Sequence, residues 1–146
     1  MGTTNKTLSQ TVPAMTDRDN IKCFRNRVHL VGMATGEVVQ CLSIPAGMLV
    51  LNVMTRVITP ETCGATTATV GDGAGANSWD ASINLAAAAG TVAAGVGGTD
   101  AYVTPWKLYT ADTIDITLTV ANGPMVAGVL EVMAICVEFP PIVGSL

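Results

Sequence analysis

The chain has 146 residues, 12% of them charged and 49% hydrophobic, with a net charge of −4. That length suits one domain with a core of its own. The acidic balance excludes nucleic-acid binding through a basic face, the apolar content excludes disorder, and the lack of any run of about 18 apolar residues excludes a membrane-spanning helix.

Taken in chain order, residues 1–20 are polar and aperiodic, and read as an extended arm. The start, MGTTNKTLSQ, shows no cationic-then-apolar signal sequence, and Lys6 breaks the myristoylation pattern. Residues 21–32 alternate: Phe24, Val28 and Leu30 share one side, Arg25, Arg27 and His29 the other. This is the period of a half-buried strand. Strands are also expected over 37–44, 48–58 and 66–70, separated by turns at Gly36, Pro45-Ala46-Gly47 and Thr59-Pro60-Glu61. The Gly- and Ala-rich stretch from Gly71 to Asp100 reads as loops and short irregular strands anchored by Trp79, with a helix over Ile83 to Ala89 as an alternative. Thr113 to Val120 alternates cleanly. Asn122-Gly123 then reads as a hairpin turn leading into a partner strand over Val126 to Phe139. That strand is apolar on both faces apart from Glu131 and Glu138, so it lies centrally or in an interface. Pro140-Pro141 ends it, and a short tail follows over 140–146. About eight strands and no long amphipathic helix predict an all-β chain, an antiparallel β-sandwich or jelly roll over residues 21–139.

The tools of chemistry are sparse. Cys23, Cys41, Cys63 and Cys136 form no CxxC pair and there is one His, so buried reduced thiols are favoured over a disulfide or a metal site. The string Gly71-Asp72-Gly73-Ala74-Gly75-Ala76 spells G-x-G-x-x-A, but no helix start follows it, so it reads as a loop. Asp72, Asn77, Asp80 and Asp100 have oxygens suited to calcium, yet are also turn formers and lack EF-hand spacing. His29 lies mid-strand with no nucleophile-elbow sequence anywhere in the chain. Two carboxylate pairs, Asp112 with Asp115 and Glu131 with Glu138, fall on opposite strand faces, which argues against a glycosidase. Trp106 and Tyr109 are the candidates for an exposed sugar-stacking patch, set against a core or rim role. No cofactor, no metal and no enzymatic activity are expected. Low charge in an apolar chain points instead to surface buried against other subunits.

One resemblance runs through the chain. Val70-Gly71-Asp72, Asn77-Ser78-Trp79-Asp80, Gly98-Thr99-Asp100, the run from Lys107 to Thr117, and Gly128 to Phe139 resemble the capsid decoration, or cement, proteins of tailed bacteriophages, particularly aquatic ones. The similarity extends from Glu37 to Phe139. It implies a β-sandwich or jelly-roll core, homotrimers on the exterior of an icosahedral shell assembled in the host cytoplasm, and binding to the major capsid protein, with no nucleic-acid or membrane partner. Family members often add an extended arm that lies on the capsid, and residues 1–20 suit that role. On this reading the subunit and capsid contacts fall in the two terminal segments, at Thr11, Val12, Pro13, Met15, Phe139, Pro140, Ile142 and Val143. The alternative is a phage tail or fibre module that binds host surface glycans through Trp106 and Tyr109.

Overall fold

The computed structural model describes residues 2–5, 21–94 and 106–139. Among these the chain is all-β, with ten strands and no helix. The strands are β1 (Thr3–Asn5), β2 (Ile21–His29), β3 (Val38–Ile44), β4 (Met48–Thr59), β5 (Thr67–Asp72), β6 (Gly75–Asn84), β7 (Val92–Ala94), β8 (Lys107–Leu108), β9 (Asp112–Thr119) and β10 (Val129–Glu138). They form two sheets of a β-sandwich. Sheet A has the order β1-β3-β9-β5-β6, and sheet B the order β2-β10-β4-β7, with β8 also paired to β4. All pairings are antiparallel except β1 with β3, which run parallel at Thr3–Asn5 against Val38–Gln40.

Alternation in the sequence becomes the two faces of each sheet. In β2 every second residue is buried: Lys22, Phe24, Asn26 and Val28 point inward, while Ile21, Cys23, Arg25, Arg27 and His29 point outward. In β9 the inward set is Ile114, Ile116 and Leu118, with the threonines and Asp115 on the outer face. The inward residues of both sheets interdigitate in one core that includes Val39, Leu42, Val50, Val53, Trp79, Ile83, Leu130 and Val132. Such burial is the main source of stability in a sandwich. Across the gap the Asn26 side-chain amide donates to the Cys41 carbonyl at 2.9 Å, tying edge strand β2 to sheet A.

Three expectations are corrected. The Gly- and Ala-rich middle is not mainly loop: Gly75–Asn84 is a ten-residue strand. Pairing with β5 and the anchor Trp79, fully buried, outweigh the poor strand propensity of its small residues. The alternative of a helix over Ile83 to Ala89 fails too, since β6 runs through Asn84 and turns follow over 85–90. Finally, Asn122-Gly123 closes no hairpin. β9 lies in sheet A and β10 in sheet B, so residues 120–128 cross the sandwich. Clean alternation marks a strand but does not name its neighbour. The Asn122 amide donates instead to the Cys63 carbonyl at 3.1 Å.

The hairpin in sheet A is β5–β6, and the G-x-G-x-x-A string is its turn. Asp72 Oδ1 accepts from the backbone N–H of Ala74 (2.9 Å) and Gly75 (3.2 Å). Gly71 is required because a Cβ there would collide with the backbone of Gly75 and Ala76.

Candidate functional site

The outer face of sheet B is built from rows of cross-strand neighbours. Arg27, Glu131 and Arg56 form one row across β2, β10 and β4; Arg25, Met133 and Met54 the next; Cys23, Ile135 and Asn52 the third. Ile21, Val137 and Leu49 close the face, and Leu108 of β8 extends that last row. Val92 lies across from Arg56 at the other side. In the first row Glu131 is clasped by both arginines: Arg27 Nε donates to Oε1 at 3.1 Å, and Arg56 donates to Oε2. Burial opposes ionisation of Glu131, but the hydrogen bonds and charges of the arginines outweigh it and lower its pKa.

This face is apolar as well as cationic. Ile21 is 67% exposed and Val92 and Leu108 are each 56% exposed. Phe139, which follows β10 and donates its N–H to the Gly47 carbonyl at 2.8 Å, is 51% exposed. The face also holds two buried polar atoms without a partner, Asn52 Oδ1 and Arg56 Nε. Exposed apolar side chains together with arginine are a composition enriched at protein interfaces.

Of the contact residues expected from sequence, Thr11, Val12, Pro13, Met15, Pro140, Ile142 and Val143 lie outside the described residues. Phe139 lies at the end of the face just described. Ile21, where the chain leaves residues 1–20, pairs with Val137 two residues before Phe139. Ile21 and Phe139 therefore lie at one corner of sheet B, whereas the described part of the N-terminal segment, Thr3–Asn5, lies in sheet A.

The chemical candidates disperse. His29 is exposed on β2 opposite Val129. Glu138 pairs with the buried Lys22 at 3.7 Å, away from Glu131. Cys41 and Cys136 are buried free thiols, Cys23 is exposed and Cys63 half-buried. Burial pushes the Cys136 thiol up to about 12. No group of three or more His, Cys, Asp or Glu suited to a metal occurs among the described residues. Tyr109 takes the core role and not the sugar-platform one: it is 1% exposed while Trp106 is 54% exposed, so the two share no surface patch. The Tyr109 hydroxyl is held inside, accepting from Trp79 Nε1 at 2.9 Å and donating to Asp72 Oδ2 at 2.7 Å. The same Asp72 oxygen accepts from Lys107 Nζ at 2.6 Å. A groove lined by Thr62, Gly64, Ala65, Thr66, Thr67, Asn84 and Ala86 opens beside Glu61. Both Glu61 oxygens already accept backbone hydrogen bonds.

Sheet A presents a different outer face, with Thr67, Thr69, Thr113, Thr117 and Thr119 around Asp115. Asp115 is 9% exposed and its Oδ1 has no partner. Burial pushes its pKa up; a Thr113 hydrogen bond pulls it back; Asp112 and Asp72 add repulsion, and it stands at about 6. A carboxyl raised in the fold strains the structure once it ionises. Its contribution is intact below about pH 4, the unfolded value, and is lost as pH rises through about 6. Asp115→Asn is expected to stabilise the domain at pH 8 by about 2 kcal/mol and to leave it unchanged at pH 4, measured by urea unfolding at both pH values. Equal stabilities at pH 8 would show that Asp115 is solvated.

No protein-family model matches the chain, and no curated protein matches it either. Solved structures do. A chain of the capsid of Ralstonia phage GP4 superposes with a TM-score of 0.66 at 18% identity, covering 89% of this chain and 92% of that one. A chain of the cyanophage Pam1 capsid asymmetric unit gives a TM-score of 0.64 at 19% identity, over 88% of this chain and 92% of that one. A chain of the acidic stable capsid structure of Helicobacter pylori bacteriophage KHP30 gives 0.52 at 14% identity, over 90% and 97%. At these identities the likeness is one of fold.

Proposed function

We propose that the chain is a structural virion protein, a decoration or cement protein that binds the major capsid protein on the exterior of a phage shell. The observation that carries this reading is the shared sandwich fold. It spans nearly the whole of this chain and nearly the whole of a capsid-structure chain in three phages. The arginine-bordered apolar face of sheet B supports it, since a binding role without chemistry needs such a surface. The role is mechanical: contacts made only with the assembled shell stabilise that state by mass action. A homotrimer, the state that the resemblance to cement proteins implies, would multiply modest contacts into avidity.

Light scattering of the purified protein, followed by cosedimentation with shells that lack it, tests this reading. The expected result is a trimer that saturates shells at a fixed copy number. A protein that leaves shells bare at saturating concentration overturns it.

A further inference from the structure

The outer face of sheet B combines features that choose a partner. Three of the four arginines of the chain, Arg25, Arg27 and Arg56, stand on it in a protein whose net charge is −4. Glu131 is the one acidic residue that its described strands place among them, and it is 1% exposed beneath Arg27 and Arg56. Arg25, exposed and opposite Met133, has no ion pair with any described residue. Arg56 Nε is buried without an acceptor. The exposed apolar side chains Ile21 and Leu108 lie in the last row of the same face, two rows beyond Arg25.

We propose that this face docks onto an acidic protein surface with an adjoining apolar patch, which on the shell-binding reading above belongs to the major capsid protein. Guanidinium groups pair carboxylates through two parallel hydrogen bonds, and the exposed Arg25 offers unused donors for such a pair. Its positive charge disfavours this face meeting itself in a second copy, since two cationic surfaces would then approach each other. The apolar row from Ile21 to Leu108 supplies a dry contact at one end of the face, and the arginines at the other end fix register and speed encounter.

The test is cosedimentation of the full chain with shells lacking it, in wild type, Arg25→Glu, Leu108→Ser and Thr119→Glu. Arg25 and Leu108 lie outside the Glu131 clasp, so both variants are expected to keep wild-type stability to within about 0.5 kcal/mol. Arg25→Glu is expected to weaken shell binding at least about tenfold. Wild-type binding is expected to fall more steeply with added salt than binding of this variant. Leu108→Ser weakens binding with no change in salt dependence. Thr119→Glu, on the outer face of sheet A, binds as wild type does. If wild type binds but Arg25→Glu and Leu108→Ser bind equally well, the face is wrong while the shell reading stands. The face is equally wrong if Thr119→Glu alone loses binding, or if Arg25→Glu changes the oligomeric state instead. Wild-type protein that ignores shells overturns the shell reading and this proposal together.

Discussion

Asp72→Ala is expected to lower the stability of the domain by about 3–5 kcal/mol, as breaking a buried ion pair does when one partner stays behind. The Asp72 side chain is fully buried and serves four donors. Oδ1 accepts from Ala74 and Gly75 in the β5–β6 turn; Oδ2 accepts from the Tyr109 hydroxyl and Lys107 Nζ. Through Tyr109 it also reaches Trp79, the anchor of β6. One carboxylate thus joins the hairpin of sheet A to the segment that carries β8 into sheet B. Alanine leaves two turn N–H groups, a buried hydroxyl and a mostly buried ammonium without their acceptor. Urea unfolding of Asp72→Ala, Tyr109→Phe and the double variant measures both the loss and its coupling. Tyr109→Phe alone is expected to cost about 1–2 kcal/mol, and the pair to be non-additive by about 1 kcal/mol. A loss below about 1 kcal/mol for Asp72→Ala would mean that water replaces the missing oxygens.

The strands are legible in the sequence where burial is one-sided. β2 and β9 alternate because each faces the core on one side, and both lie where the period puts them. β10 is legible as a central strand because it is apolar on both faces, and it does lie between β2 and β4. β6 escapes the sequence pattern because small residues hide its period, although Trp79, Ile83 and Leu85, all buried, stand at two-residue multiples. The pairing of β9 escapes it for a deeper reason. An Asn-Gly turn specifies a local reversal, whereas the partner of a strand is decided by which sheet it closes. The candidate face is half legible: Arg25, Arg27 and His29 declare an outward side, but their neighbours on β4 and β10 are remote in sequence. Glu131 reads as an interruption of an apolar strand. Its meaning, a carboxylate between two arginines from different strands, exists only after the strands pair.

Glu61 carries the second large effect, and it adds a pH signature. It follows β4, is 3% exposed, and spans two loops. Oε1 accepts from the N–H of Thr62 (2.7 Å), Cys63 (2.9 Å) and Val126 (3.3 Å), and Oε2 from Ala127 (3.1 Å). The 120–128 crossing is thereby pinned to the β4–β5 loop, the link that lets β9 and β10 sit in opposite sheets. Glu61→Ala is expected to cost about 3–4 kcal/mol, because several backbone donors lose a charged acceptor at once. Glu61→Gln keeps one oxygen for Thr62 and Cys63 but turns an amide donor toward Ala127, and is expected to cost about 1–2 kcal/mol. Burial opposes ionisation of Glu61, yet the donors of Thr62, Cys63 and Ala127 outweigh it and lower the pKa. A depressed carboxyl contributes stability above its unfolded value of about 4.3, and that contribution fades as pH falls through the lower folded value. Glu131 acts in the same sense and Asp115 in the opposite one. Wild-type stability is therefore expected to rise as pH falls through about 6 to about 4, the window in which folded Asp115 is protonated and the unfolded chain is not, and to drop at lower pH, where Glu61 and Glu131 lose their charge. Thermal unfolding from pH 3 to 8 tests this directly. Asp115→Asn should remove the rise, and Glu61→Gln should flatten the acid limb without touching the rise. An acid limb of unchanged slope in Glu61→Gln would mean that the crossing is held by contacts other than this carboxylate.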